Sequence, residues 1–422
     1  MTIKTVFRAL RHKNYRLFFA GQSISLIGTW MQQIAVGWLV YRQTHSAFLL
    51  GLVGFSSQIA TFLLAPLAGV IADRHHRHRL LLITQGLAML QAMVLYDLYA
   101  AHLIQVWHII LLSFFLGAVN AFDIPVRQSF TVDMLDDRED LSNAIALNSS
   151  MVNAARLIGP SIGGILIALW GEGVCFLINA LSYVAVLWSL IMMTLPRWEK
   201  SGRNNEPVML QLRQGFSYAL NFMPIRAILM LLSVISMVAG GVQALMPLFA
   251  RDVFHGGSTT LGLLMASSGL GALTGAIYLA GRGNVLGLGR VIAFTAALFG
   301  GAIMLFSRTS LLAVGLPVLL FSGFGMMVQM ASSNIILQTI VDEDKRGRVM
   351  SFYTMAFMGL SPFGSLLSGV LATHIGAGKT LLWGGVFCIM AAAIFARNLP
   401  TLRNFVRPLY IKKGIMTQEV HS

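Results

Sequence analysis

The sequence predicts an all-α membrane protein: twelve transmembrane helices in two six-helix halves, with both termini cytoplasmic. Three observations predict it. Hydrophobic residues fill 56% of the 422 positions and charged residues only 11%, with a mean hydropathy of +0.73; a soluble chain carries about twice that charged fraction. Uncharged runs long enough to cross the ~30 Å of bilayer hydrocarbon recur along the whole chain. Lysine and arginine fall on alternate connections between those runs, as they do in cytoplasmic loops. The net charge of +14 is therefore loop charge, and no nucleic-acid partner is expected.

Taken in order, the first half offers runs at 17–41, 43–72, 80–101, 105–122, 141–170 and 173–196. The second half offers 227–250, 253–281, 291–307, 309–341, 349–378 and 380–396. Between the halves lies the longest hydrophilic link, which contains Trp198-Glu199-Lys200-Ser201-Gly202-Arg203. Its later part sets Leu212, Phe216 and Leu220 at helical spacing, the pattern of a helix lying on the membrane surface. The domain division is 1–196 for the N-terminal bundle, 197–221 for a cytoplasmic linker with this interfacial helix, 222–398 for the C-terminal bundle and 399–422 for a cytoplasmic tail.

Orientation follows from the 30 basic residues. All but Arg42, Arg251, Arg308, Lys379 and Arg156 fall on the same set of alternate connections, beginning with Lys4 to Arg16 and ending with Arg397 to Lys413. One missed helix would scramble this alternation, so the charge pattern also supports the count of twelve. The stretch after Arg16 stays uncharged for too long to be the core of a cleaved signal peptide. Cys175 and Cys388 sit in apolar runs, which excludes a disulfide framework and a zinc site. Asp140 and Asp342 both open the fifth helix of their half, and Pro160 and Pro362 follow at equal offset. That is the mark of a parallel duplication about an axis along the membrane normal.

Few residues could carry chemistry. Arg156 costs roughly 2.5–3.5 kcal/mol to insert at mid-helix, so it should face the bundle and find a partner. Asp123 is the nearest acid, while Asp97 lies near the outer end of its helix. The two are read either as a coupled pair, with Asp123 carrying a proton, or as separate groups, with Arg156 meeting an anionic or catechol-bearing molecule. Gln22, Gln32, Gln33, Asn120, Asn148, Asn153, Gln243 and Gln329 are candidates to line a central cavity for an amphipathic small molecule. Trp30, Trp38 and Phe55 would supply its apolar walls. Three arginines interleaved with His75, His76 and His78 argue against a metal site, and no metal or cofactor is expected. No nucleotide-binding loop, Gly-x-Ser-x-Gly turn or cluster of His and carboxylates supports an enzyme.

Two motifs carry a family resemblance. Gly69-Val70-Ile71-Ala72-Asp73-Arg74, followed by Arg77 and Arg79, resembles motif A of the major facilitator superfamily, with Ile71 where leucine is usual. Ala155-Arg156-Leu157-Ile158-Gly159-Pro160-Ser161-Ile162-Gly163-Gly164 resembles motif C of that superfamily's antiporters, with Ala155 in place of the first glycine. Further segments, Phe122 to Gln128 and Phe249 to Val253 among them, are similar to the drug:proton antiporter branch that holds macrolide efflux proteins and the enterobactin exporter. The resemblance implies the major facilitator fold in a bacterial cytoplasmic (inner) membrane, and a monomer whose partners are its substrate, protons and the bilayer.

The implied activity is proton-coupled export of a siderophore or drug-like metabolite by alternating access. Import of the same class is the alternative, and an intramembrane enzyme or lipid-modifying protein a remote one. The resemblance further implies a gate at Gly69, Asp73, Arg74 and Arg77, with Asp73 latching the start of helix eleven near 347–349. It offers Asp123 an ion pair with Arg77. Gly159, Pro160, Gly163 and Gly164 would let helix five bend and pack closely.

Overall fold

The structure is a computed structural model that describes residues 7–194, 222–282, 284–341, 343–412 and 416. Among these, twelve long helices run back and forth: α1 (Lys13–Thr44), α2 (Ala47–Arg74), α3 (Arg77–Ala100), α4 (Val106–Asp133), α5 (Leu141–Trp170) and α6 (Glu172–Ile191), followed by α7 (Met223–Leu248), α8 (Ser258–Ala280), α9 (Leu288–Phe306), α10 (Leu312–Ile340), α11 and α12 (Ala377–Lys412). Helix α11 comes in two pieces, Glu343–Thr354 and Ser361–Ile375, joined by the π turn Met355–Gly359. A second π turn, Phe249–Val253, ends α7. An even number of passes leaves both ends of the chain on one face, called here the terminal face. The expected linker, 197–221, lies outside the described residues.

Eleven of these helices are long and apolar enough to cross a membrane. The exception is α1, whose 32 residues suffice in length. Gln22, Ser25 and Gln32 are turned inward and buried, which lowers the hydropathy of α1 without exposing those groups to lipid. Around the bundle Trp188, Ile191, Ile277, Phe294 and Ile394 remain more than half exposed, an apolar belt of the kind that lipid tails cover.

Two boundaries differ from the hydropathy reading. Helix α4 continues past 122 to Asp133 and takes Asp123, Pro125 and Arg127 into its last turns. Helix α12 continues through Arg397, Pro400, Arg403 and Pro408 to Lys412, so the first part of the expected tail is helical. In both, charge ends the apolar run but does not end the backbone hydrogen bonding.

The two halves meet along glycine seams between α5 and α8 and between α2 and α11. A methyl group on Gly164 would sit 2.6 Å from the Ser258 carbonyl oxygen and 3.1 Å from Gly262 Cα. One on Gly51 would sit 2.9 Å from Gly369 Cα. Only the missing side chains allow these backbones to touch. Ser258 Oγ also donates to the Gly164 carbonyl across the seam (3.0 Å). These contacts lie toward the face away from the termini. On the terminal half of α5, Ile145 and Val152 stand 55% and 41% exposed, and Ser149 is exposed between them.

Candidate functional site

Arg156 sits midway along α5, one turn before Gly159. Gly159 has no side chain because a Cβ there would lie 2.5 Å from Trp30 Cβ and 2.9 Å from the Ile27 carbonyl oxygen. That close approach of α5 to α1 sets the Arg156 guanidinium over the Trp30 ring, 5.7 Å from its centroid. Gly163, a turn further on, packs against Ile34 and Met31 of α1. Gly164 faces α8 instead. The glycines of this motif thus brace α5 on two sides, and Pro160 is buried between them.

Trp30 and Arg156 form one wall of a cavity between the halves, with about 560 Å³ of empty space including its open mouth. Gln243, Ser268 and Ser322 supply polar groups from α7, α8 and α10, and Met246, Met265 and Phe299 supply much of the apolar surface. Among the described residues no carboxylate lines it.

Asp123 and Arg156 are not brought together. Asp123 is 3% exposed and accepts hydrogen bonds from Thr84 Oγ1 (2.9 Å) and Gln85 Nε2 (2.7 Å) of α3. Its charged neighbour is Arg127, one turn along the same helix, with Nε 3.5 Å away. The expected pairing with Arg77 also fails to form, because Arg77 reaches the last residue of α4. Its Nη1 lies 3.1 and 3.2 Å from the two carboxylate oxygens of Asp133. The physical reason is the extra length of α4, which carries an acid to the terminal face beside the start of α3. The surroundings of Gly69 and Gly347 and the side chains of Asp73, Arg74 and Arg348 lie outside what the structure describes, and so does the latch expected between them.

The other cavity candidates separate clearly. Gln243 lines the cavity. Gln32 is buried and hydrogen-bonds Gln91 (3.0 Å) and Asn179 (2.8 Å), which ties α1 to α3 and α6. Asn148 accepts from the Tyr15 hydroxyl (3.0 Å) and donates to Thr131 Oγ1 (3.3 Å). Gln329 is fully buried within the second half and bonds Ser333. Asn153 bonds the Ser149 carbonyl of its own helix. Gln22 is buried, Gln33 exposed and Asn120 half-buried. Gln32 and Asn148 thus hold helices together. His78 Nε2 approaches the Leu190 carbonyl (2.8 Å), and no metal-binding group of His, Cys, Asp and Glu occurs among the described residues.

Two charged clusters escaped the sequence reading. At the terminal face Asp140, fully buried, is shared by Arg8, Arg11 and His12, with Arg11 Nε and His12 Nε2 each 2.9 Å away. His12 Nδ1 also meets Asp136 at 3.0 Å. At the opposite face Glu172, the buried first residue of α6, holds Arg42 and the Tyr99 hydroxyl, each at 3.0 Å. Glu172 was detectable as a lone acid at a junction of two spans. The partners were not.

A family model for transmembrane secretion effectors, within the major facilitator superfamily, matches residues 4–407. The staphyloferrin A transporter of Staphylococcus aureus is 26% identical over 90% of this chain and 95% of its own length. The macrolide efflux protein A of Streptococcus pyogenes is 24% identical over 91% and 96%. The enterobactin exporter of Citrobacter koseri is 24% identical over 96% of each chain. Among solved structures, an inward-facing bacterial homologue of the lysosomal transporter Spinster superposes with a TM-score of 0.66, covering 94% of this chain and 98% of that one at 14% identity. Helix count, glycine seams and these matches agree: the chain is a multi-pass membrane transporter that belongs to the transmembrane secretion effector family of the major facilitator superfamily.

Proposed function

We propose that the chain exports an amphipathic small molecule, a siderophore or drug-like metabolite, across a bacterial cytoplasmic membrane by proton-coupled alternating access. The observation that carries this reading is the cavity at Arg156, set between two halves that pack together by glycine on the face away from the termini. Rocking about such seams would close the terminal face and open the other. The excess of lysine and arginine in the loops of the terminal face supports a cytoplasmic position for it and for both termini. Asp123, buried among Thr84, Gln85 and Arg127, is the group best placed to take up and release a proton. Asp73 is the gate residue at the end of α2. Export, over import, is favoured by relatives named for efflux and export. One chain encloses the whole cavity, as expected of a monomer.

The test is transport of labelled macrolide and labelled catecholate siderophore into inverted and right-side-out vesicles. Accumulation in inverted vesicles under an inside-acid gradient, abolished by an uncoupler, is the expected result. Accumulation only in right-side-out vesicles would reverse the direction. No accumulation of either molecule would overturn the assignment.

A further inference from the structure

The guanidinium of Arg156 has no acceptor and no carboxylate within ion-pair reach among the described residues, and its one charge-related contact is the face of Trp30. An arginine midway along a membrane helix usually finds an acid in the protein, because leaving it unpaired at that depth is costly. The Trp30 ring offsets part of that cost without using the guanidinium's N–H donors. The remaining walls hold an amide, hydroxyls, thioethers, aliphatic and aromatic carbon and, among the described residues, no acid that would attract a cation. Acids exist nearby in sequence but are committed elsewhere: Asp123 to Arg127, Thr84 and Gln85, and Glu172 to Arg42 and Tyr99.

We infer that Arg156 is the cargo's counter-ion, so that the transporter selects amphipathic anions, with a carboxylate on Arg156 and an apolar body against Trp30 and the methionines. Arginine suits the task because its planar fork gives a carboxylate two parallel hydrogen bonds. The geometry also divides the work between halves. Arg156 and Trp30 belong to the first half, while Gln243, Ser268 and Ser322 belong to the second. A molecule long enough to touch both would feel their relative motion. A cationic amphiphile would meet an uncompensated like charge there. This inference rests on the export reading only for the word cargo; the binding preference is measurable without transport.

The experiment uses the purified full chain in nanodiscs, with no gradient, and a matched pair of probes: pyrenebutyrate and its neutral primary amide. Saturable binding is read from energy transfer between protein tryptophan and pyrene. The acid should bind at least about tenfold more tightly than the amide, the effect of one charge-assisted hydrogen bond. Arg156→Gln should erase that preference, and Arg156→Lys should keep part of it. Ser268→Asp, which adds a counter-charge to the same cavity while leaving Arg156 in place, should erase it as well and stands in if Arg156→Gln fails to fold. Equal affinity for the two probes, absence of saturable binding by the acid, or an intact preference in Arg156→Gln or Ser268→Asp would each overturn the inference. Failure of vesicle transport with the anion preference intact would count against export alone.

Discussion

The hydroxyl of Tyr41, in the last turn of α1, donates to the carboxylate of Asp252 in the π turn that ends α7. The bond joins the first half to the second at the face away from the termini. Tyr41 is buried, and the extra residue of a π turn re-aims the chain at the point where Asp252 must face it. Together with the Ser258–Gly164 bond, it holds that face shut by polar contact as well as by packing.

Tyr41→Phe should loosen this closure, because it removes the donor and keeps the ring. A hydrogen bond of this kind contributes about 1 kcal/mol, so the closed-to-open ratio should fall roughly three- to tenfold. Spin labels at His45 and His255, exposed beside the two partners, should show a larger fraction of long distances by pulsed electron resonance. An unchanged distance distribution would show that glycine packing alone closes the face.

Gly164→Ala should act on the same closure from the other side. Its methyl group would meet the Ser258 carbonyl at 2.6 Å, and overpacking of this kind costs about 1–3 kcal/mol. Transport should fall several-fold with normal membrane abundance. Gly86→Ala, where nothing lies within 4 Å, should transport normally. Equal behaviour of the two variants would remove the seam from the mechanism.

Asp123→Asn tests proton coupling. The amide can keep hydrogen bonds with Thr84 and Gln85 but cannot release a proton. Cargo-for-cargo exchange across proteoliposomes should survive, while accumulation driven by a pH gradient should be lost. Retention of pH-driven accumulation would make Asp123 a brace for Arg127 and nothing more.

Asp73→Asn tests the gate. The charge that favours a helix N-terminus is worth roughly 0.3–1 kcal/mol when exposed and up to about 2 when partly buried. Transport should drop sharply while the protein still reaches the membrane, as judged by immunoblot of washed membranes. Full transport at normal abundance would remove Asp73 from the gating scheme.

The cluster at the terminal face predicts a pH dependence of stability. Burial lowers the His12 pKa, but hydrogen bonds and charge attraction from Asp136 and Asp140 outweigh it, and the net shift is upward. Burial raises Asp140, but the His12 hydrogen bond and the charges of Arg11 and Arg8 outweigh it, and the net shift is downward. The His12 contribution is therefore fully present below the ordinary histidine pKa and is lost as pH rises through the raised value. The Asp140 contribution is present above the ordinary carboxylate pKa and is lost as pH falls through the lowered one. Docking of the Arg8–Arg11 turn should be firmest at mildly acid pH and weaken toward alkaline pH. Trypsin cleavage at Arg8 and Arg11 should speed up over that rise, and His12→Gln should flatten the alkaline side of the profile. A wild-type profile already flat there would exclude the His12 latch.

The sequence by itself determined the membrane class, the count of long helices and the family. These rest on properties summed along a segment: length, hydropathy, basic asymmetry and short motifs. The glycines at 159, 163 and 164 were legible for the same reason, since a small residue beside proline signals close packing whatever its neighbour. The tertiary structure decided which helix each glycine faces, which acid meets which base and which polar residue sees the cavity. Asp123 and Arg156 read as natural partners because both are charges in the first half, yet helix rotation aims Asp123 at α3 and Arg156 at α1. Arg77 finds Asp133 because α4 runs eleven residues past the end of its uncharged run at 122. Gln32 and Gln243 look alike in sequence, and only the facing of their helices makes one a core brace and the other a cavity wall. An ion pair needs two side chains within a few ångströms, and that proximity is fixed by helix rotation and depth, which hydropathy does not encode.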